Sequence, residues 1–156
     1  MLELKIPGWK VLNINHLVLD FNGTLAEDGR ILPGIKEKLI TLSEKVEIHI
    51  LTADTHQGVR KSFLGCNYHI EIIPDSSQAS CKCQYIQQLG ADSVVAVGNG
   101  NNDASMLAEA ALGIAVIQSE GASARTIAAA DIIFNDIEKA LETLNNQCRL
   151  IASLRC

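Results

Sequence analysis

Apolar residues in this chain fall into short, nearly continuous runs separated by stretches of helical period. Residues 16–19 run apolar after His16 and stop at Asp20; the runs at 93–97, 113–117 and 132–134 are nearly continuous in the same way, and those at 46–51 and 69–73 are interrupted by Glu47, His49 and Glu71. Runs of Val, Ile and Leu without polar alternation predict strands buried on both faces. Between them, residues 34–45 place Ile35, Leu39 and Leu42 on one face and Lys36, Glu37, Lys38 and Glu44 largely on the other, the mark of an amphipathic helix. Further helices are predicted over 57–63, 79–89 with Gly90 as C-cap, 104–112, 121–130 and a long closing stretch from 137 to 154. Two smaller features complete the pattern. Residues 2–6 alternate and end at Pro7-Gly8, which predicts an edge strand leading through Val11, Leu12 and Ile14 into the main strand. Glu27-Asp28-Gly29 is a turn signal that makes residues 25–33 a small hairpin or flap.

Buried strands alternating with helices define a doubly wound α/β fold with a parallel sheet. Ligands of such sheets bind at the carboxyl ends of strands, where Asp20, Thr52, Asn99 and Asp103 are all expected. With 156 residues the chain is the size of one domain, 1–156, with no repeat or linker. A formal charge of −5, with Lys36, Lys38, Arg60, Lys61, Arg125 and Arg149 scattered among acids, argues against nucleic acid or an anionic membrane as partner. No segment reads as a membrane span or signal peptide, so a cytoplasmic protein is expected. The five cysteines are an odd number and are expected as reduced thiols. Cys81 and Cys83 are two apart on a helix, point away from each other, and do not make a zinc pair.

Candidate chemistry gathers at the strand ends. Asp20, followed by Gly23 and Thr24, can serve as nucleophile or metal ligand beside a turn open enough for backbone amides to reach an anion. Gly98-Asn99-Gly100-Asn101-Asn102-Asp103 brings a second acid on a tight turn. Two such acids can share Mg2+, which takes a few oxygen ligands plus water and substrate phosphate. Thr52 offers a hydroxyl and an amide to a phosphate oxygen, and Lys82 supplies positive charge where phosphate and carboxylate crowd together. Glu27, Asp28, His56 and Glu120 are expected as solvated loop residues, and His16 and His49 as packed or hydrogen-bonded strand residues.

Together these residues resemble the haloacid dehalogenase superfamily, and within it the phosphorylation domain of P-type ATPases. Asp20-Phe21-Asn22-Gly23-Thr24 resembles the first motif, Thr52-Ala53-Asp54 the second, Lys82 the third, and 98–103 the fourth, in the family's order. The likeness continues through Gly113-Ile114-Ala115-Val116, Glu120-Gly121-Ala122 and Ala130-Asp131-Ile132. It implies a capless, Rossmann-like domain that attacks phosphorus with Asp20 and forms an aspartyl phosphate, later hydrolysed by water. Asp20, the Asn22 carbonyl and the loop carrying Asn99 and Asp103 would hold Mg2+. Thr52 and Lys82 would hold the phosphoryl group, with Asn22, Gly23, Thr24, Ala53 and Asp54 lining the substrate side.

Two departures from the family matter. Its phosphatases carry an acid two positions after the nucleophile, where this chain has Asn22, and an amide cannot shuttle a proton. Asn99 stands where an aspartate is common, which costs the metal site one negative charge. The expectation is therefore a Mg2+-dependent phosphohydrolase of slow turnover. The alternative is a catalytically weakened phosphate-binding or regulatory protein. The phosphorylated substrate is not specified by these residues, and an open site suits a large substrate or closure by a second copy in a homo-oligomer. Pumping is not expected of a chain without nucleotide-binding or membrane-crossing segments.

Overall fold

The computed structural model describes residues 1–53 and 58–156, so the expected site residue Asp54, His56 and the first residue of the expected helix at 57 lie outside it. In chain order the elements are β1 (Leu2–Lys5), β2 (Val11–Ile14), β3 (His16–Asp20), β4 (Ala26–Glu27), β5 (Arg30–Ile31), α1 (Ile35–Ser43), β6 (Glu47–Thr52), α2 (Gly58–Ser62) and β7 (His69–Ile72). There follow α3 (Gln78–Leu89), β8 (Val94–Gly98), α4 (Ala104–Glu109), β9 (Leu112–Val116), α5 (Ala124–Ala129), β10 (Ile132–Phe134), α6 (Ile137–Asn145) and α7 (Gln147–Leu154).

Six strands form one parallel sheet in the order β10-β9-β8-β3-β6-β7. From β3 the chain moves one way through β6 to β7, then crosses back to build β8, β9 and β10 on the other side. The reversal leaves a crevice at the carboxyl ends of β3 and β8, where the first and fourth motif loops emerge. Both sheet faces are covered, which explains the largely apolar runs. Leu17 and Leu19 of β3 face a core shared with Leu39 and Leu42 of α1 and Leu141 and Leu144 of α6. Val18 between them faces Ile86 of α3 and Met106 and Leu107 of α4.

The flap forms as expected. β4 and β5 pair antiparallel around Asp28 and Gly29, both at positive φ (49° and 73°), the backbone of a two-residue hairpin turn. Between β3 and β6 the chain holds only this flap and α1, so no cap domain is inserted there. Among the described residues no helix is long and apolar enough to cross a membrane.

Three boundaries differ from the sequence expectation. β1 does not join the main sheet; it pairs antiparallel with β2 in a separate hairpin, Leu2 opposite Ile14. The reason is the alternation itself, because Leu2, Leu4, Leu12 and Ile14 are buried while Glu3, Lys5, Val11 and Asn13 are exposed. Strands with one wet face suit the margin of a sheet that is buried on both sides. The helix expected over 104–112 ends at Glu109, because Leu112 pairs with Val95 and already belongs to β9. The closing helix breaks at Asn146 (φ −110°, ψ 81°), and α7 turns back toward β1 with Leu150 fully buried.

The packing of α6 on α1 closes one face of the sheet. Leu141→Ala, which empties a fully buried site there, is expected to lower stability by about 2–5 kcal/mol. Urea unfolding checks this as a reduced midpoint with an unchanged slope.

Candidate active site

The loop after β3 is wound tightly by its own backbone. Leu25 and Ala26 donate to the Phe21 carbonyl at 2.9 and 3.0 Å, and Gly23 donates to the Ala26 carbonyl at 2.8 Å. Gly23 sits at φ +76°, and a Cβ there would lie 2.5 Å from Asn99 Nδ2 and 2.8 Å from Glu120 Oε2. Only glycine satisfies both the dihedral and the close approach of the loop after β8. Gln118, just beyond β9, fastens this loop from the other side. Its Nε2 donates to the Gly23 and Thr24 carbonyls at 3.0 and 2.8 Å, and its Oε1 accepts from Ile137 N at the start of α6.

The loop after β8 closes on its own acid. Asp103 Oδ2 accepts from the backbone amides of Asn99 (3.0 Å) and Gly100 (2.9 Å). A Cβ on Gly98 would stand 2.5 Å from that same oxygen, so the glycine ending β8 makes room for the carboxylate. Thr126 of α5 donates to the Gly100 carbonyl at 2.5 Å, and Asn99 Nδ2 donates to the Gly121 carbonyl at 3.0 Å.

Between the two loops lies Lys82 of α3, 1% exposed. Its Nζ donates to Asp20 Oδ1 and to Asp103 Oδ1, each at 2.6 Å. Thr24, fully buried, makes longer contacts of 3.4 Å to Asp20 Oδ2 and Asn99 Oδ1. The cluster thus sets two carboxylates against one ammonium. Burial, and then the Asp103 charge, push Asp20 up from the ordinary carboxylate range to about 7, against the pull of Lys82. Burial acts to lower the lysine, but the Asp20 and Asp103 carboxylates outweigh it and hold Lys82 above its usual value.

Asp20, Thr24, Lys82, Asn99 and Asp103 therefore converge, with Gly23 between the loops. Thr52 ends β6 as a buried residue, next to Leu51, the register partner of Asp20, and Ala53 follows half-buried. Asn22 is exposed at the mouth. Glu120 is exposed as expected, yet its carboxylate stands beside Gly23. Gln118 and Thr126 escaped sequence reasoning. The only signal was that Gln118 is a polar residue closely following a buried strand, and such residues also cap and solvate loops.

A divalent cation suits this donor set. The carboxylates exceed the ammonium by one negative charge in a buried crevice, and Thr24 reaches Asp20 Oδ2 at 3.4 Å, a long contact. Hard oxygen donors with surplus charge fit Mg2+ better than a softer metal.

Fold and site together define a doubly wound α/β protein with a lysine-bridged carboxylate pair at its switch point. Residues 65–140 match the family described as haloacid dehalogenase-like hydrolase. An uncharacterized protein of Methanocaldococcus jannaschii is 50% identical over 62 residues, covering 40% of this chain and 67% of that protein. Among solved structures, 3-deoxy-D-manno-octulosonate 8-phosphate phosphatase from Moraxella catarrhalis shares the fold (TM-score 0.65, 20% identity, 91% of this chain and 94% of that one). The catalytic domain of the CPx-ATPase CopB-B is also similar (TM-score 0.58, 27% identity, 75% of this chain and 46% of that one). The match over residues 65–140 is thus to haloacid dehalogenase-like hydrolases, and the chain shares its fold with solved structures of that kind.

The raised Asp20 has a stability consequence. Between about pH 4 and 7 the metal-free folded state holds a proton that the unfolded chain has released, so this group's contribution to stability falls as pH rises through that window. Asp20→Asn removes the titration. In chelator, the Tm of the wild type relative to Asp20→Asn is expected to drop from pH 5 to pH 8, measured by calorimetry, and a constant difference would contradict the assignment.

Proposed function

We propose that this protein is a Mg2+-dependent phosphatase that works through an aspartyl phosphate on Asp20. The observation that carries the reading is the buried Lys82 ammonium held 2.6 Å from both Asp20 and Asp103 at the switch point of the sheet. In support, the Moraxella catarrhalis phosphatase of the same fold is described in complex with a magnesium ion, a phosphate ion and a KDO molecule. The proposed unit is residues 1–156 as one open-faced domain acting on a phosphorylated substrate.

In this mechanism an Asp20 oxygen attacks phosphorus, the bond from phosphorus to the leaving oxygen breaks, and water later cleaves the acyl phosphate to release phosphate and restore the carboxylate. Lys82 aims the Asp20 carboxylate and offsets negative charge as the phosphoryl group arrives. Asp103 anchors Lys82 and shapes the loop, since three donors already bind its two oxygens. Thr52, buried at the neighbouring strand end, is assigned to a phosphoryl oxygen. The Asp20 carboxylate, the Asn22 carbonyl, Asn99 and Asp103 would hold Mg2+, which supplies neutralisation of the phosphoryl oxygens. Asn22 stands at the mouth in place of an acid, so no proton donor serves the leaving oxygen there. The reaction favours good leaving groups, and hydrolysis of the phosphoenzyme is slow.

An aryl phosphate assay tests this reading. Turnover is expected with Mg2+, abolished by chelator, restored on adding Mg2+, and reduced to background in Asp20→Asn; equal rates for wild type and Asp20→Asn would overturn it. Asn22→Asp is expected to accelerate dephosphorylation by about tenfold or more, read from single-turnover decay of the phosphoenzyme. Beryllium fluoride trapped at Asp20 in a protein without turnover would instead favour the phosphate-binding reading that Asn22 suggests.

A further inference from the structure

At the end of the sheet opposite the active site, the first residues of three adjacent strands are His16 of β3, Glu47 of β6 and His69 of β7. The parallel register sets His16 beside Glu47 and His49 beside His69. Residues two apart on a strand share a face, so Glu47 and His49 project together. All four belong to the face that carries Val18 and Leu51, under α3.

Their ligand atoms form a compact triangle. His16 Nδ1 lies 3.1 Å from His49 Nε2, and Glu47 Oε2 lies 3.7 Å from the former and 3.9 Å from the latter. A triangle with those sides has a centre about 2.1 Å from every corner, the bond length of zinc to imidazole nitrogen and carboxylate oxygen. The second ring nitrogen of His49 is engaged as well, its Nδ1 2.9 Å from the Tyr85 hydroxyl of α3. A partner at the far nitrogen fixes ring orientation and tautomer, as metal-bound imidazoles require. A cavity of about 610 Å³, with His16, Glu47 and His69 in its wall, opens onto this end of the sheet. His69 stacks on His49 at 4.6 Å, with its Nε2 3.5 Å from Glu47 Oε2.

We propose that His16, Glu47 and His49 form a second metal site, for a divalent ion of the zinc type, at the amino edge of the sheet. Two imidazoles and one carboxylate match Zn2+, Co2+ or Ni2+ and suit Mg2+ poorly, so the site is chemically distinct from the active site. Three protein ligands leave a position for water from the cavity. Bound metal ties β3 to β6 at the end remote from Asp20. An imidazole–imidazole hydrogen bond alone accounts for the 3.1 Å separation, but not for a carboxylate oxygen held almost equally far from both nitrogens.

Cobalt titration of the untagged, chelator-treated full chain tests the site, with Asp20→Asn as background and excess Mg2+ present so that the other end of the sheet does not contribute. One equivalent of Co2+ is expected, with the visible absorption of four-coordinate nitrogen and oxygen ligation, displaced by Zn2+. His16→Gln and Glu47→Gln, both at the rim, should each weaken binding at least tenfold, while circular dichroism confirms that they remain folded. His49 is buried, so its variant is not required. No saturable uptake of Co2+, or unchanged affinity in both rim variants, would overturn the proposal.

Discussion

A lysine ammonium buried between two carboxylates is the interaction on which the rest of this structure depends. Lys82 comes from α3, Asp20 from β3 and Asp103 from the turn after β8, so one side chain joins three elements. Burying one charge from any of them without the others would cost several kcal/mol. Docking α3 against α4 and the sheet thus requires all three in register. The two further amides on Asp103 and the glycine clearance at Gly98 serve the same end, holding one oxygen of that acid still.

That arrangement is held under electrostatic tension. Two acids share one base in a buried crevice, and Asp20 responds by moving up to about 7. The site is therefore prone to take a proton, and the divalent cation proposed for it would relieve the same repulsion. On that reading, affinity for the cation and loss of the proton would be linked.

The two ends of the sheet are chemically unlike. The carboxyl end gathers carboxylates, hydroxyls and an ammonium, suited to hard cations and phosphoryl oxygens. The amino end gathers imidazoles: His49 is lowered to about 4 by burial and then by the neighbouring rings of His69 and His16, and is neutral at physiological pH. Between them lie the buried apolar side chains of Leu17, Val18, Leu19, Ile50 and Leu51, which separate the two polar clusters.

The sequence alone determined the sheet, because a strand covered on both faces is apolar through most of its length, as 17–19 and 94–97 are, and as 46–51 is apart from Glu47 and His49. It also singled out Asp20, Thr52, Asn99 and Asp103 at strand ends, and Lys82 through the order of the motifs it resembles. The break at Asn146 and the detached β1–β2 hairpin were not legible, because local pattern does not say which neighbour a segment will cover; Leu150 and the hairpin's single apolar face decided both in the folded state. Nor did sequence place Gln118 on the carbonyls of Gly23 and Thr24, some 95 residues away, or bring His16, Glu47 and His49 to one point. Those contacts arise from strand register and strand order, which are properties of the assembled sheet and not of any segment within it.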